Sequence, residues 1–157
     1  MNIRLIAIGK TDNKSLQTLI DDYIKRLSFY VKFDLEIIPD IKNVKNLSEE
    51  QQKEKEGELI LAKLSPTDFL ILLDENGKSY TSIGFANELQ KKMNAGIKTL
   101  VYVIGGPYGF SETVYQKAQQ KISLSEMTFS HQMVRLFFIE QVYRGFTILK
   151  NEPYHHQ

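Results

Sequence analysis

The sequence predicts an α/β domain on a largely parallel sheet with helices on both faces. Three observations predict it. Short apolar runs alternate with longer stretches of helical periodicity, giving the pattern βαβαβαβαβα. The runs FLILL and VYVI are continuously apolar, which suits strands buried on both faces. VYVI also stops at Gly105-Gly106-Pro107-Tyr108-Gly109, with a polar helix start at Ser111. A strand ending this way leaves bare backbone amides at its carboxyl edge, where open α/β sheets bind ligands.

Taken in order, Asn2 to Gly9 reads as the first strand. Lys14 to Tyr30 places Leu16, Leu19, Ile20, Tyr23, Ile24, Leu27 and Tyr30 on one helical face. Phe33 to Ile38 is a strand stopped by Pro39, and Asp40 to Leu47 a polar loop. Ser48 with Gln51 three residues on forms a capping box that starts the next helix. Glu49 to Glu58 lacks a large apolar residue, so its first turns are expected in solvent, with Leu59, Ile60, Leu61 and Leu64 anchoring the far end. Asp68 to Asp74 is a buried strand, followed by a turn at Glu75-Asn76-Gly77-Lys78. Thr81 to Asn94 is an amphipathic helix ending near Gly96, and Thr99 to Ile104 the fourth strand. Ser111 is an N-cap for a short helix to Lys121. Ile122 to Leu124 is a brief strand, and His131 to Lys150 the last helix before an exposed tail.

Composition bounds the function. The chain of 157 residues suits one domain covering 1–157, large enough to bury a core. It is 42% hydrophobic and 25% charged, ordinary for a globular protein, with no apolar stretch of membrane-spanning length. The opening MNIRLIAIGK reads as a strand and not a signal peptide. Cysteine is absent, which excludes disulfides and thiolate metal sites and fits a cytoplasmic protein. A net charge of +1 gives no general pull toward nucleic acid. An RNA partner would have to meet basic residues used locally, or arrive already shaped.

The last helix is too apolar for one face. Positions advance about 100° per residue, so Met133, Val134, Leu136, Phe137, Phe138, Ile139, Val142, Tyr143, Phe146, Ile148 and Leu149 cover most of its circumference. A second subunit related by a twofold axis is the expected cover; a central helix in a monomer is the other way to bury it. His131 and Arg135 share a face at its amino end, near the ligand edge. Glu140 and Arg144, on roughly the opposite side, read as a structural ion pair.

The glycine turn either cradles a ligand through backbone amides or is a plain strand-to-helix connection. The segment LSEMTF, Leu124 to Phe129, is a second loop expected at the same edge. His131 and His155 are candidate proton acceptors, because histidine alone titrates near neutrality unaided. Arg135 is a candidate anion holder. Tyr154 and His155 lie in a tail with Pro153 and His156 but no flexible Gly or Ser, which favours docking over disorder. Serine-hydrolase, HExxH and paired-cysteine patterns are absent.

With IRLIAIGK, KEKEG at Lys53 to Gly57, Leu73 followed by Gly77-Lys78, VIGGPYG, ISLSEMTF, HQMVR, EQVYR and the terminal EPYHH, the chain resembles over essentially its whole length the RlmH type of SPOUT methyltransferase. Two positions depart from that pattern. Ser130 replaces a proline before the His-Gln pair, exchanging a stiff helix start for an N-cap. His156 stands where Lys or Arg is usual. The resemblance implies an α/β fold with a C-terminal trefoil knot, a homodimer, and methylation of N3 of a pseudouridine in 23S ribosomal RNA from S-adenosyl-L-methionine, without a metal or a membrane. It implies cofactor contacts from Leu73, Gly105, Leu124, Ser125, Glu126, Met127, Thr128 and Phe129, and catalytic roles for His131, Arg135, Tyr154 and His155. An enzyme of the same fold acting on another RNA such as tRNA, and a non-catalytic ribosome-binding protein, are the alternatives.

Overall fold

A computed structural model describes residues 1–156. Its five strands are β1 (Asn2–Ile8), β2 (Lys32–Ile38), β3 (Phe69–Ser79), β4 (Thr99–Ile104) and β5 (Gln120–Ser123). They pair in the order β2-β1-β4-β3-β5, every pairing parallel. The helices are α1 (Lys14–Leu27), α2 (Glu49–Ala62), α3 (Ser82–Asn94), α4 (Glu112–Lys117) and α5 (Met133–Leu149). A short 3-10 helix, Val44–Asn46, interrupts the expected polar loop.

Strand alternation splits the core in two. Ile3, Leu5, Ala7, Leu100, Tyr102 and Ile104 face one side, where they pack with Leu16 and Ile20 of α1, Phe85 and Leu89 of α3, and Phe138, Ile139 and Val142 of α5. Ile6, Ile8, Leu70, Leu72, Val101 and Val103 face the other, against Ile60 of α2 and Val114 of α4. The sheet is therefore covered on both faces, as its unbroken apolar runs require.

The caps expected at Ser48 and Ser111 form, and the structure adds one at Thr81. Ser48 and Gln51 make the reciprocal capping box, and Thr81 and Ser111 accept from backbone amides three residues on. Several boundaries and one burial differ from expectation. Helix α1 ends at Leu27, three residues early, with Tyr30 in the following turn. The turn expected at Glu75 to Lys78 is a continuation of β3, with a register shift against β5 between Leu73 and Lys78. Gly77 allows this, because a Cβ there would meet the Ile122 backbone nitrogen at 2.6 Å. Helix α4 stops at Lys117, since Gln119 and Gln120 join the sheet: Gln119 N donates to Leu70 O at 3.0 Å, and its side-chain Oε1 accepts from Leu70 N. Finally, α2 is not solvated throughout its first turns, for Glu56 and Gly57 are buried. Long-range packing overrides the local pattern in the last two cases.

Candidate active site

All strands point the same way, so their carboxyl ends share one edge. The chain leaves β4 at Ile104 into the glycine turn, closed by Gly109 N donating to Gly106 O at 3.2 Å. Gly109 has φ +83°, a conformation costly for any residue with a Cβ. The turn then plants Phe110 in the core, edge-on to Tyr115 with ring centroids 5.7 Å apart.

The segment after β5 is shaped by its own hydroxyls. Ser123 Oγ donates to Ser125 O, and Ser125 Oγ accepts from Met127 N, both at 3.0 Å. Ser130 Oγ accepts from Met133 N at 3.1 Å, and Ser130 O accepts from Val134 N. Ser130 thus serves as an N-cap in place of the rigid ring. Phe129 packs on Phe137 with centroids 4.9 Å apart, pinning the loop to α5.

The two loops and the end of β3 enclose a cavity of about 430 Å³, within the range of nucleotide- and drug-sized sites. Leu73, Gly105, Leu124, Ser125, Glu126, Met127, Thr128 and Phe129 all line it, and so does His131. The glycine turn and the LSEMTF loop, both expected at the carboxyl edge, are two walls of one pocket.

Sequence reading missed other groups. Asp74 lines the cavity and accepts a short hydrogen bond from the Tyr115 hydroxyl, while its other oxygen accepts from Asn76 N at 2.7 Å. Burial, then the bond to Asp74, push the Tyr115 phenol up to about 12. Nothing local marks Tyr115, because only the position of α4 brings it to β3. The local pattern around Glu56, free of large apolar residues from Glu49 to Glu58, suggests a solvated face. The signal against that was its neighbour Gly57, since a glycine inside a helix costs about 1 kcal/mol and commonly marks close packing.

Arg135 requires a correction. It is fully buried, so its guanidinium is not presented to an anion in the cavity. Nε donates to His131 O at 3.0 Å, Nη1 to Thr11 Oγ1 at 3.1 Å and Nη2 to Ile8 O at 2.8 Å. Burial pushes its pKa down, against the opposing pull of Asp12 and Asp40. Gln132 adds a second clamp: its amide nitrogen donates to Lys10 O and its oxygen accepts from Asp12 N. Arg135 is a brace between the start of α5 and the end of β1.

The tail is docked. The Tyr154 hydroxyl donates to Glu140 Oε1 at 2.9 Å and accepts from Tyr23 OH at 3.1 Å. Its ring lies edge-on to Tyr143 and under the Arg144 guanidinium, 4.7 Å from the centroid. Burial and these bonds push the Tyr154 phenol up. Glu140 and Arg144 form the expected ion pair, which extends further: Arg144 Nη1 approaches His155 Nδ1 at 3.2 Å. Arginine only donates, so Nδ1 accepts and the neutral ring carries its proton on Nε2.

Within one chain these residues do not converge. His131 stands at the cavity, whereas Tyr154 rests on Glu140, nine residues further on, about 13 Å along a helical axis. Met133 and Phe137 on α5 stay substantially exposed. Among the described residues no helix is long and apolar enough to cross a membrane, and no group of three or more His, Cys, Asp or Glu is placed to hold a metal.

A family model described as "Predicted SPOUT methyltransferase" matches residues 1–155. A protein of Flavobacterium johnsoniae named ribosomal RNA large subunit methyltransferase H is 85% identical over 157 residues, the whole of both chains. Proteins of the same name from Flavobacterium psychrophilum and Christiangramia forsetii are 82% and 64% identical, again over the whole of both chains.

Proposed function

The chain belongs to the SPOUT methyltransferase family, and from that premise we propose that it transfers the methyl group of S-adenosyl-L-methionine to N3 of a pseudouridine in 23S ribosomal RNA, in the cytoplasm and on the assembled ribosome. The full-length relatives carry large-subunit ribosomal RNA methylation in their names. The observation that carries the donor reading is the cavity of about 430 Å³, whose walls hold all eight residues expected to contact the cofactor, with His131 at its side.

The residues fit such a donor. A glycine turn and a serine-shaped loop offer backbone groups to a polar, adenosine-sized ligand, and Leu73, Ile104 and Phe129 supply apolar walls. The bound donor supplies an already activated methyl group, so the reaction needs no metal. The protein must place the acceptor nitrogen in line with that methyl, which is a large part of rate enhancement. It must also take the N3 proton.

His131 is the better placed acceptor for that proton, because it lines the cavity. His155 is held by Arg144 in the tautomer whose outward nitrogen already bears hydrogen, so it suits donation to a base carbonyl or a phosphate. Tyr154, locked by Tyr23 and Glu140, offers a ring edge for the base. For these groups to act with His131, the tail of one subunit must complete the cavity of another. That arrangement also covers Met133 and Phe137, and it supports the homodimer reading. In the same reading, the chain from β4 through α5 forms the family's trefoil knot.

The deciding experiment is transfer of labelled methyl from S-adenosyl-L-methionine to ribosomes lacking the modification, followed by mapping. Label on N3 of a large-subunit pseudouridine is the expected result; label on a tRNA, or ribosome binding without transfer, would overturn it.

A further inference from the structure

Glu56 of α2 is 3% exposed, and its Oε1 has no hydrogen-bond partner. It lies behind the glycine turn, outside the cavity. The two carboxyl oxygens occupy the space that a Cβ on Gly106 would take, Oε1 being 2.5 Å from that position. Next to it, Gly57 lets α2 approach the other end of the turn, since a Cβ there would stand 2.5 Å from Ser111 Oγ. A buried carboxyl with one oxygen unpaired, pressed against this turn, is costly.

We propose that Glu56 is a positioning residue for methyl-donor binding, holding the turn Gly105 to Gly109 in its cavity-lining form by packing its carboxyl against Gly106; the proposal rests on the donor reading above. Gly106 is then glycine because Glu56 needs its place. Burial, together with the like charge of Asp40, pushes Glu56 up, partly opposed by a hydrogen bond with Gln52. Glutamine keeps the shape of this side chain and removes its charge.

The test measures S-adenosylhomocysteine binding by calorimetry, and thermal unfolding, for the wild type, Glu56→Gln, Glu56→Ala, Gly106→Ala and the double Ala variant. Glu56→Ala and Gly106→Ala should each weaken binding about tenfold, the scale of coupling between touching residues. Glu56→Gln should bind nearly as wild type. Adding Gly106→Ala to Glu56→Ala should cost little more, because the clashing carboxyl is gone. The Tm of Glu56→Ala should fall little, because the cost of the unpaired Oε1 is removed together with the packing. Unchanged affinity in Glu56→Ala would overturn the proposal. So would an equal Gly106→Ala penalty in both backgrounds, or a Glu56→Ala Tm that drops in step with affinity, which marks mere packing. A wild type that binds no S-adenosylhomocysteine overturns the donor reading itself, and this result is distinct because all variants then behave alike.

Discussion

Arg135 Nη2 donates to the carbonyl oxygen of Ile8 across 2.8 Å, tying the first turn of α5 to the last residue of β1. With bonds to Thr11 and His131, it fixes the backbone at which His131 meets the cavity. Hydrogen bonds from a charged donor are worth roughly 1.5–3 kcal/mol each, and their loss leaves buried acceptors unpaired. Arg135→Ala should therefore lower unfolding free energy by about 3 kcal/mol in urea titration. A stability within experimental error of wild type would return Arg135 to the list of groups kept for the reaction.

Gly109 tests the turn independently of Glu56. Its φ is +83°, and a Cβ would meet nothing within 4 Å, so substitution carries backbone strain without a clash. Gly109→Ala should cost about 1 kcal/mol of stability and weaken S-adenosylhomocysteine binding through the distorted turn. Calorimetry alongside thermal unfolding separates the two effects.

The two histidines should behave differently. His131→Ala should lower kcat by about 100-fold or more, the usual contribution of a positioned acid or base, with donor affinity nearly unchanged. His155→Ala should raise KM for the ribosome as well as lower kcat, because its outward nitrogen is a donor and not a base. Equal effects on both parameters for the two variants would reject this division.

A shared site predicts complementation. Light scattering should give twice the 18.2 kDa mass of the chain. Mixing the impaired His131→Ala and His155→Ala chains, with subunit exchange, should raise transfer well above that of either variant alone, through mixed dimers holding one intact site. No such rise in a mixture shown to have exchanged would place the tail in its own subunit's chemistry.

Alkaline stability follows from the tyrosines. Tyr115 and Tyr30 are both pushed up to about 12, Tyr115 mainly by burial and Tyr30 mainly by its hydrogen bond to Glu152. Unfolded, each would lose its proton near 10. Their contribution is thus complete below pH 10 and is lost as pH rises from 10 toward 12. Tyr115→Phe together with Tyr30→Phe should flatten the fall in Tm across that window.

Much of the molecule was legible in the chain because it rests on local rules. Apolar runs and helical periodicity specify the strands and helices. Ser48 and Ser111 mark helix starts through their side-chain oxygens. The glycine turn and LSEMTF loop were assignable to the carboxyl edge because parallel strands share one. What needed the tertiary structure were relationships between distant positions. Whether Arg135 faces the cavity or the core depends on where β1 ends. The roles of Tyr115 and Glu56 depend on where α4 and α2 come to rest, and Gln119 and Gln120 leave a helical pattern because β3 offers a vacant edge. Sequence determined the elements, their caps and the segments that carry the site, since each is decided by neighbours a few residues away. Only the tertiary structure decided which polar side chains are braces and which face the cavity, because burial and hydrogen-bond satisfaction are properties of the packed whole.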